Sequence, residues 1–444
     1  MSDALPLPPR PNLDQYRKLA KDLKHACESN EPAAVREWAS RWVRTLMRLG
    51  GSDITAEVER EINQEAARLE RRWREWREKD EHANDCRLTS AQFFLAREHG
   101  FASWPTFAEH LEALTRNDSD VSNFERAADA IINGDARTFE KLLRDHPELV
   151  RERSTRDHRS TLLHYVSANG VEDFRQKSPK NIVDITRTLL DAGADVNATS
   201  DAYGGGSTTL GLVATSVHPQ HAGVQIPLLE LLIDRGSRLD QPSAAGNAQS
   251  VVNGCFANGQ PGAARYLASR GAPVDLDAAG GLGDLAIVQN YFDEHGKLKS
   301  PANEQDMKSA FVNACGYGHE DVVRFLLERG IDPATDLEVR RSLPWAIYGG
   351  HVDIIKLLLQ LGLPVSGRYE QQRITPLQLA LGLWAKSDDT AEREIYDDIV
   401  RVLVDAGATL DPAWFKQDDP RWQEIAAKIR ADARMIAALR GQTP

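Results

Sequence analysis

Ile185-Thr-Arg-Thr-Leu-Leu-Asp-Ala-Gly-Ala-Asp-Val-Asn197 is the stretch on which the fold turns. It is a short apolar helix carrying a Leu-Leu pair, stopped by glycine and a polar turn, and the chain repeats it. Val322-Val-Arg-Phe-Leu-Leu-Glu-Arg-Gly330, Ile354-Ile-Lys-Leu-Leu-Leu-Gln-Leu-Gly362 and Ile399-Val-Arg-Val-Leu-Val-Asp-Ala-Gly-Ala408 are copies. Leu228 to Gly236 belongs with them, and Ala263 to Ala272 is a weaker relative. The closing glycines, Gly193, Gly236, Gly271, Gly330, Gly362 and Gly407, are separated by 43, 35, 59, 32 and 45 residues. The longest gap hides a further short unit around Gly283 to Phe292. Recurrence at this period is the mark of stacked modules, each burying its apolar face on its neighbours.

The segments before these helices also recur. Thr161-Leu-Leu-His-Tyr-Val166 and Thr375-Pro-Leu-Gln-Leu-Ala380 resemble the Thr-Pro-Leu-His-x-Ala signature of ankyrin repeats. Tyr317-Gly-His-Glu-Asp-Val-Val and Gly349-Gly-His-Val-Asp-Ile-Ile resemble that family's turn between helices. The resemblance covers about residues 122 to 410. It implies an all-α ankyrin-repeat solenoid of about eight units, starting near Phe124, Thr161, Thr208, Ser250, Leu276, Ala310, Ser342 and Thr375. Three units depart from the pattern through insertions, at Val171 to Pro179, His218 to His221 and Trp384 to Ala391. The unit at Leu276 carries Ala278-Ala-Gly-Gly-Leu-Gly283 where a helix is due, and each glycine there weakens it by ~1 kcal/mol against Ala.

Residues 1–118 read as a separate helical domain. Asn12 is placed to cap a helix bearing Leu13, Tyr16, Leu19 and Leu23. Pro32 to Leu49 and Ile54 to Asp80 follow, the latter rich in Glu and Arg, which reads as a solvated face with ion pairs three or four residues apart. Leu88 to Gly100 and Ser103 to Leu114 complete it. Ala96 to Phe107 resembles the segment before the repeats of many bacterial ankyrin proteins. Residues 411–444 read as helices capping the last unit, since an array needs a polar end.

Composition narrows the function. A net charge of −12 argues against nucleic acid as the partner, because phosphate recognition needs clustered Lys and Arg. No apolar run approaches the ~18 residues that span a membrane, so a cytoplasmic location is expected. Cys27, Cys86, Cys255 and Cys315 are widely spaced, without a CxxC pair, and suggest neither a zinc site nor a disulfide framework. No metal or cofactor is implied.

Two functional readings follow. The resemblance implies that first helices and fingers face the inner, concave side and there hold a protein or peptide partner. Matching each first helix to the family pattern puts Asn169, Asn258, Tyr317 and Tyr348 on that side, with Arg340, Arg341 and Tyr369 from the fingers. Asn, Tyr and Arg combine hydrogen bonding with broad apolar area. The alternative is an enzyme or small-molecule binder, its pocket built from the irregular middle units and covered by the N-terminal helices. His218 and His221, with Asp201 and Tyr203 in the preceding finger, are its catalytic candidates, since paired His can exchange protons. Pro219 argues against a regular helix between the two His. His164, His319 and His351 fall at the family's structural His positions.

Overall fold

The structure is a computed structural model of the 444-residue chain. It describes every residue except 1–3, 9–10, 30, 52, 80–85, 117, 242–249, 368–373, 416–419 and 441–444. The chain divides into two compact units, Met1–Ala263 and Ala264–Pro444, a division that falls inside the stretch read as one repeat domain.

The first unit opens with α1 (Leu13–Glu28), α2 (Ala34–Leu49), α3 (Ala56–Lys79), α4 (Leu88–Glu98) and α5 (Trp104–Leu114). Asn12 caps α1, its side chain accepting from the Asp14 amide. The apolar positions that repeat at helical spacing meet in one core: Leu23, Trp38, Trp42, Ile62, Leu69, Trp73 and Phe94. The charges of α3 do form local pairs, Arg68 with Glu65 and Arg74 with Glu70, and also bind neighbouring helices through Arg44–Glu59 at 2.5 Å and Arg72–Glu98 at 3.1 Å. One expectation is corrected here. Cys27, in the last turn of α1, and Cys86, just before α4, are joined in a disulfide across a sequence separation of 59. Spacing along the chain could not show it, because folding of α2 and α3 brings the two ends together. Such bonds persist in oxidising compartments and are rare in the cytosol, so this bond and the expected cytoplasmic location pull in opposite directions.

The same unit continues with α6 (Asp120–Asn133) and α7 (Ala136–Asp145), then α8 (Ile182–Asp191), α9 (Thr209–Thr215), α10 (Val217–His221), α11 (Gln225–Asp234) and α12 (Val251–Ala257); α13 (Pro261–Ser269) straddles the division. The segment after Thr161 is a 3-10 turn, Leu162–Ser167, ended by buried Ala168 at φ +49°. A two-residue hairpin pairs Thr199 with Thr208 and Ser200 with Ser207. A second correction concerns α10. Pro219 is accommodated within this helical turn, because its missing N–H falls in the first turn, where no intrahelical partner exists.

The second unit holds α14 (Leu276–Leu282), α15 (Leu285–Asn290), α16 (Glu304–Tyr317), α17 (Glu320–Glu328), α18 (Ser342–Tyr348), α19 (Val352–Gln360), α20 (Pro376–Lys386) and α21 (Thr390–Asp405). It closes with α22 (Pro420–Ala431) and α23 (Ala433–Ala438). First helices α14, α16, α18 and α20 each pack on the next, and α22 on α20. Their inner sides share one core running from Leu276 to Leu439. The closing glycines from Gly193 to Gly407 all have φ between +89° and +100°, the left-handed stop that Cβ-bearing residues resist. The glycines of α14 do not break that helix. A Cβ on Gly280 would lie 2.4 Å from the Ala310 carbonyl oxygen, so this glycine lets α14 and α16 approach closely. The helix propensity lost at Gly280 is offset by contact with α16.

Candidate interaction surface

Successive first helices of the second unit are linked by a repeated bond. His319 Nε2 meets the Gly281 carbonyl at 3.0 Å, and His351 Nε2 meets the Gly316 carbonyl at 3.1 Å. In the first unit, His164 forms a capping box with Thr161 and reaches the Ser207 carbonyl at 3.3 Å. These histidines hold neighbouring backbone rather than a reacting group. Burial pushes the His164 imidazole down to about 4, so it is neutral in the fold.

The row of first helices leaves a groove of about 360 Å³ between α20, α22 and the end of α18. One line of α20, Gln378, Gly382 and Lys386, repeats every four residues and so occupies one face. Leu379 and Leu383 form the adjoining line. Trp422 and Ile425 come from α22, Ile374 from the chain before α20, and Tyr348 from α18. Open space lies over Gly382, where an added Cβ would meet nothing within 4 Å among the described residues. Trp345 and Tyr348 lie at the α18 end, both 41% exposed, with ring centroids 5.9 Å apart. Gly316 makes room for Trp345, whose Cβ would be 3.2 Å from one built on that glycine. The volume falls within the ~300–1,000 Å³ of ordinary ligand clefts.

Of the residues expected to contact a partner, Tyr348 lines this groove. Tyr317 is partly buried at the end of α16, and Arg341 is exposed. Arg340 donates to the Ala334 carbonyl at 2.8 Å, and Asn258 is exposed while donating to the Gly254 carbonyl. Tyr369 lies outside the described residues. Asn169 is engaged between elements: its Nδ2 donates to Thr215 Oγ1 at 3.1 Å, and its Oδ1 accepts from Tyr203 Oη at 2.5 Å. Tyr203 takes φ +53° to make that contact and is 54% exposed. Asp201 is exposed, its backbone N–H held by the His158 carbonyl. His218 is half-buried and His221 exposed, on one turn of α10. The structure thus joins Tyr203 to Asn169, but among the described residues no hydrogen bond or ion pair links Asp201 or Tyr203 to either His. Among the described residues, no three His, Cys, Asp or Glu side chains gather as a metal site.

Sequence reasoning missed a buried ionic cluster in the first unit. Arg156 Nε pairs with Glu172, and its Nη2 lies 3.3 Å from Glu125. Arg175 Nη1 lies 2.8 Å from Glu125 and 3.3 Å from Glu172, and its Nη2 is 2.7 Å from Asp129. Glu172 and Arg175 come from the Val171 to Pro179 insertion, whose short 3-10 turn, Asp173–Arg175, folds inward. Burial pushes the Glu125 carboxyl up, but Arg175 and Arg156 together outweigh it and hold it down at about 2. Arg156 Nη1 also donates to the His99 carbonyl at 2.8 Å, with its guanidinium 5.1 Å from the Phe101 ring centre. Arg97–Asp157 and His110–Thr155 add to the same seam. The cluster therefore fastens the N-terminal helices to the chain that follows them. The one legible hint was an Arg and two acids in an insertion with apolar flanks.

Among the described residues, no helix is long and apolar enough to cross a membrane. No curated protein matches the chain. Residues 276–368, from α14 to beyond α19, are similar to ankyrin repeats, matching that family's model of three copies.

Proposed function

We propose that this protein is an interaction module, and that the first-helix face of its second unit holds a peptide segment of a protein partner. The groove between α18, α20 and α22 carries the reading. Ankyrin repeats are generally protein-interaction modules, and this cleft is lined by α20, α22 and the end of α18. Its apolar floor, with Trp422 and the exposed Tyr348 in its walls and Trp345 beside Tyr348, has the aromatic character of binding hot spots. In this reading the helix pairs from α6 to α21 form about eight repeat units, and α22 and α23 cap the last, α22 supplying one wall of the groove.

The test is selection of peptides from a random display library on the full chain, followed by amide hydrogen exchange with and without a selected peptide. Slower exchange over 345–348, 376–386 and 420–428 is expected. Protection confined to residues outside 264–444 would overturn the reading.

A further inference from the structure

Asp397 sits midway along α21, the helix on which the cap helix α23 packs. It is 6% exposed, beside the apolar cluster to which Tyr396, Val400 and Leu403 of α21 and Met435 and Ala438 of α23 belong. Its Oδ1 is buried and has no hydrogen-bond partner among the described residues. The charges around it are already committed. Asp432 caps α23, accepting from the Arg434 and Met435 amides at 2.9 and 3.0 Å. Arg434 pairs with Glu394, and Arg401 with Asp398 at 2.8 Å. Of the other helices packed on α21, α19 carries Asp353 and Lys356, which pair with each other, and α20 carries only Lys386, exposed at its end. An ionised carboxyl buried without a matched cation is costly, so such a site favours the neutral form. Burial, with the Asp432 carboxylate acting on it, pushes Asp397 from 3.8 up to about 6, the Arg434 and Arg401 guanidiniums pulling the other way.

From this buried, unmatched carboxyl at the seat of α23 we infer that the C-terminal cap is an acid-tightened latch, docked most firmly with Asp397 protonated and loosened once it ionises. Asp432 alone separates α22 from α23, and the two helices pack on each other. Trp422 and Ile425 of α22 form one wall of the groove. Loosening α23 therefore slackens that wall, and the groove holds its occupant less well at neutral than at mildly acid pH. This consequence rests on the interaction reading above; the pH dependence of the cap itself does not. With the cap undocked, Asp397 is solvated and returns to its ordinary 3.8. The docked state thus binds the proton more tightly, and the stability this lends is lost as pH rises through about 6. Between about pH 5 and 7 the opening constant of the cap should rise about tenfold.

The test is amide hydrogen exchange of the full chain from about pH 5 to 8, corrected for intrinsic exchange, read over 396–404 and 420–438 with 310–326 of the same unit as reference. In the parent, opening of the cap relative to that reference is expected to rise about tenfold and to level off above about pH 6. Asp397→Asn should keep it low and flat throughout. Asp432→Asn, which keeps the capping acceptor but removes the neighbouring charge, should move the levelling point to lower pH. Should Asp397→Asn fail to fold, as judged by circular dichroism, the parent profile and Asp432→Asn still decide. A display-selected peptide that protects the groove should bind more tightly at about pH 5 than at about pH 7.5, a difference that Asp397→Asn removes. Flat opening of the parent cap across this range, or a pH dependence that survives in Asp397→Asn, would overturn the latch. Equal peptide affinity at both pH values would overturn its coupling to the groove. A cap that titrates as expected, in a protein whose selected peptides leave the groove unprotected, would keep the latch and remove the interaction reading.

Discussion

Two mid-helix glycines of the second unit should respond to the same substitution with opposite signs. Replacing a helical Gly by Ala gains about 1 kcal/mol of propensity. At Gly382 nothing among the described residues lies within 4 Å of the added Cβ, so Gly382→Ala should realise that gain. At Gly280 the Cβ would lie 2.4 Å from the Ala310 oxygen, 2.7 Å from its Cα and 2.8 Å from its carbonyl carbon. All three are backbone atoms that no rotamer change can move, so α14 and α16 must part by about 1 Å to restore ordinary contact. Overpacking of this kind costs about 3 kcal/mol, at the upper end of its usual range. Less the propensity gain, Gly280→Ala should be destabilised by about 2 kcal/mol. The two variants should therefore differ by about 3 kcal/mol. Urea unfolding of the full chain, followed by hydrogen exchange of the 304–317 and 376–386 segments of the second unit, reads each local effect at its own helix. A Gly280→Ala protein as stable as the parent would refute the close-packing account of this helix pair.

Three further outcomes follow from the first unit. Burial lowers His164 and His110 from 6.5 to about 4 and His99 to about 3; the folded chain keeps them neutral while the unfolded chain protonates them. Their contribution is therefore complete above pH 6.5 and is lost as pH falls toward the folded values, by about 1.4 kcal/mol per pH unit for each His. Urea midpoints measured between pH 7 and 4 should show this slope, and His164→Asn should make it shallower. Reducing the Cys27–Cys86 bond releases a loop of 59 residues, and Cys27→Ser should lower stability by about 4 kcal/mol on loop-entropy grounds; denaturation with and without dithiothreitol measures it. Arg156→Met leaves Glu172 and Glu125 short of a buried cation and should cost about 3–5 kcal/mol, part of it recovered in the double variant Arg156→Met, Glu172→Leu. Equilibrium unfolding of the two variants decides that point.

The chain announced its helices most clearly where a single local rule sufficed. Leu-Leu pairs followed by glycine located α8, α11, α17 and α19, and Leu403-Val404 before Gly407 located α21, because a left-handed stop is a property of a few adjacent residues. Asn12 announced α1 in the same way, through short-range capping. What stayed hidden depends on residues far apart in sequence. Cys27 meets Cys86 only after α2 and α3 fold between them, and Arg156 meets Glu125, Glu172 and His99 only in three dimensions. Gly280 and Gly382 look alike as letters, yet one presses on a neighbouring backbone and the other opens a cleft. Tyr348 was legible as an exposed residue before a turn glycine. Its partners in the groove were not, because α22 read as a cap and nothing local told that it would face α20.

The reach of Arg156 has a corollary for anyone trimming the chain. A cut in the polar run 116–119 looks harmless, since it falls between α5 and α6. It would nonetheless take away the His99 carbonyl and the Phe101 ring, strip Asp157 and Thr155 of their companions, and flood a charged interior with water. A truncated protein prepared that way would report on a wounded surface rather than on the repeats themselves, and loss of partner binding in it would say little about where the partner docks.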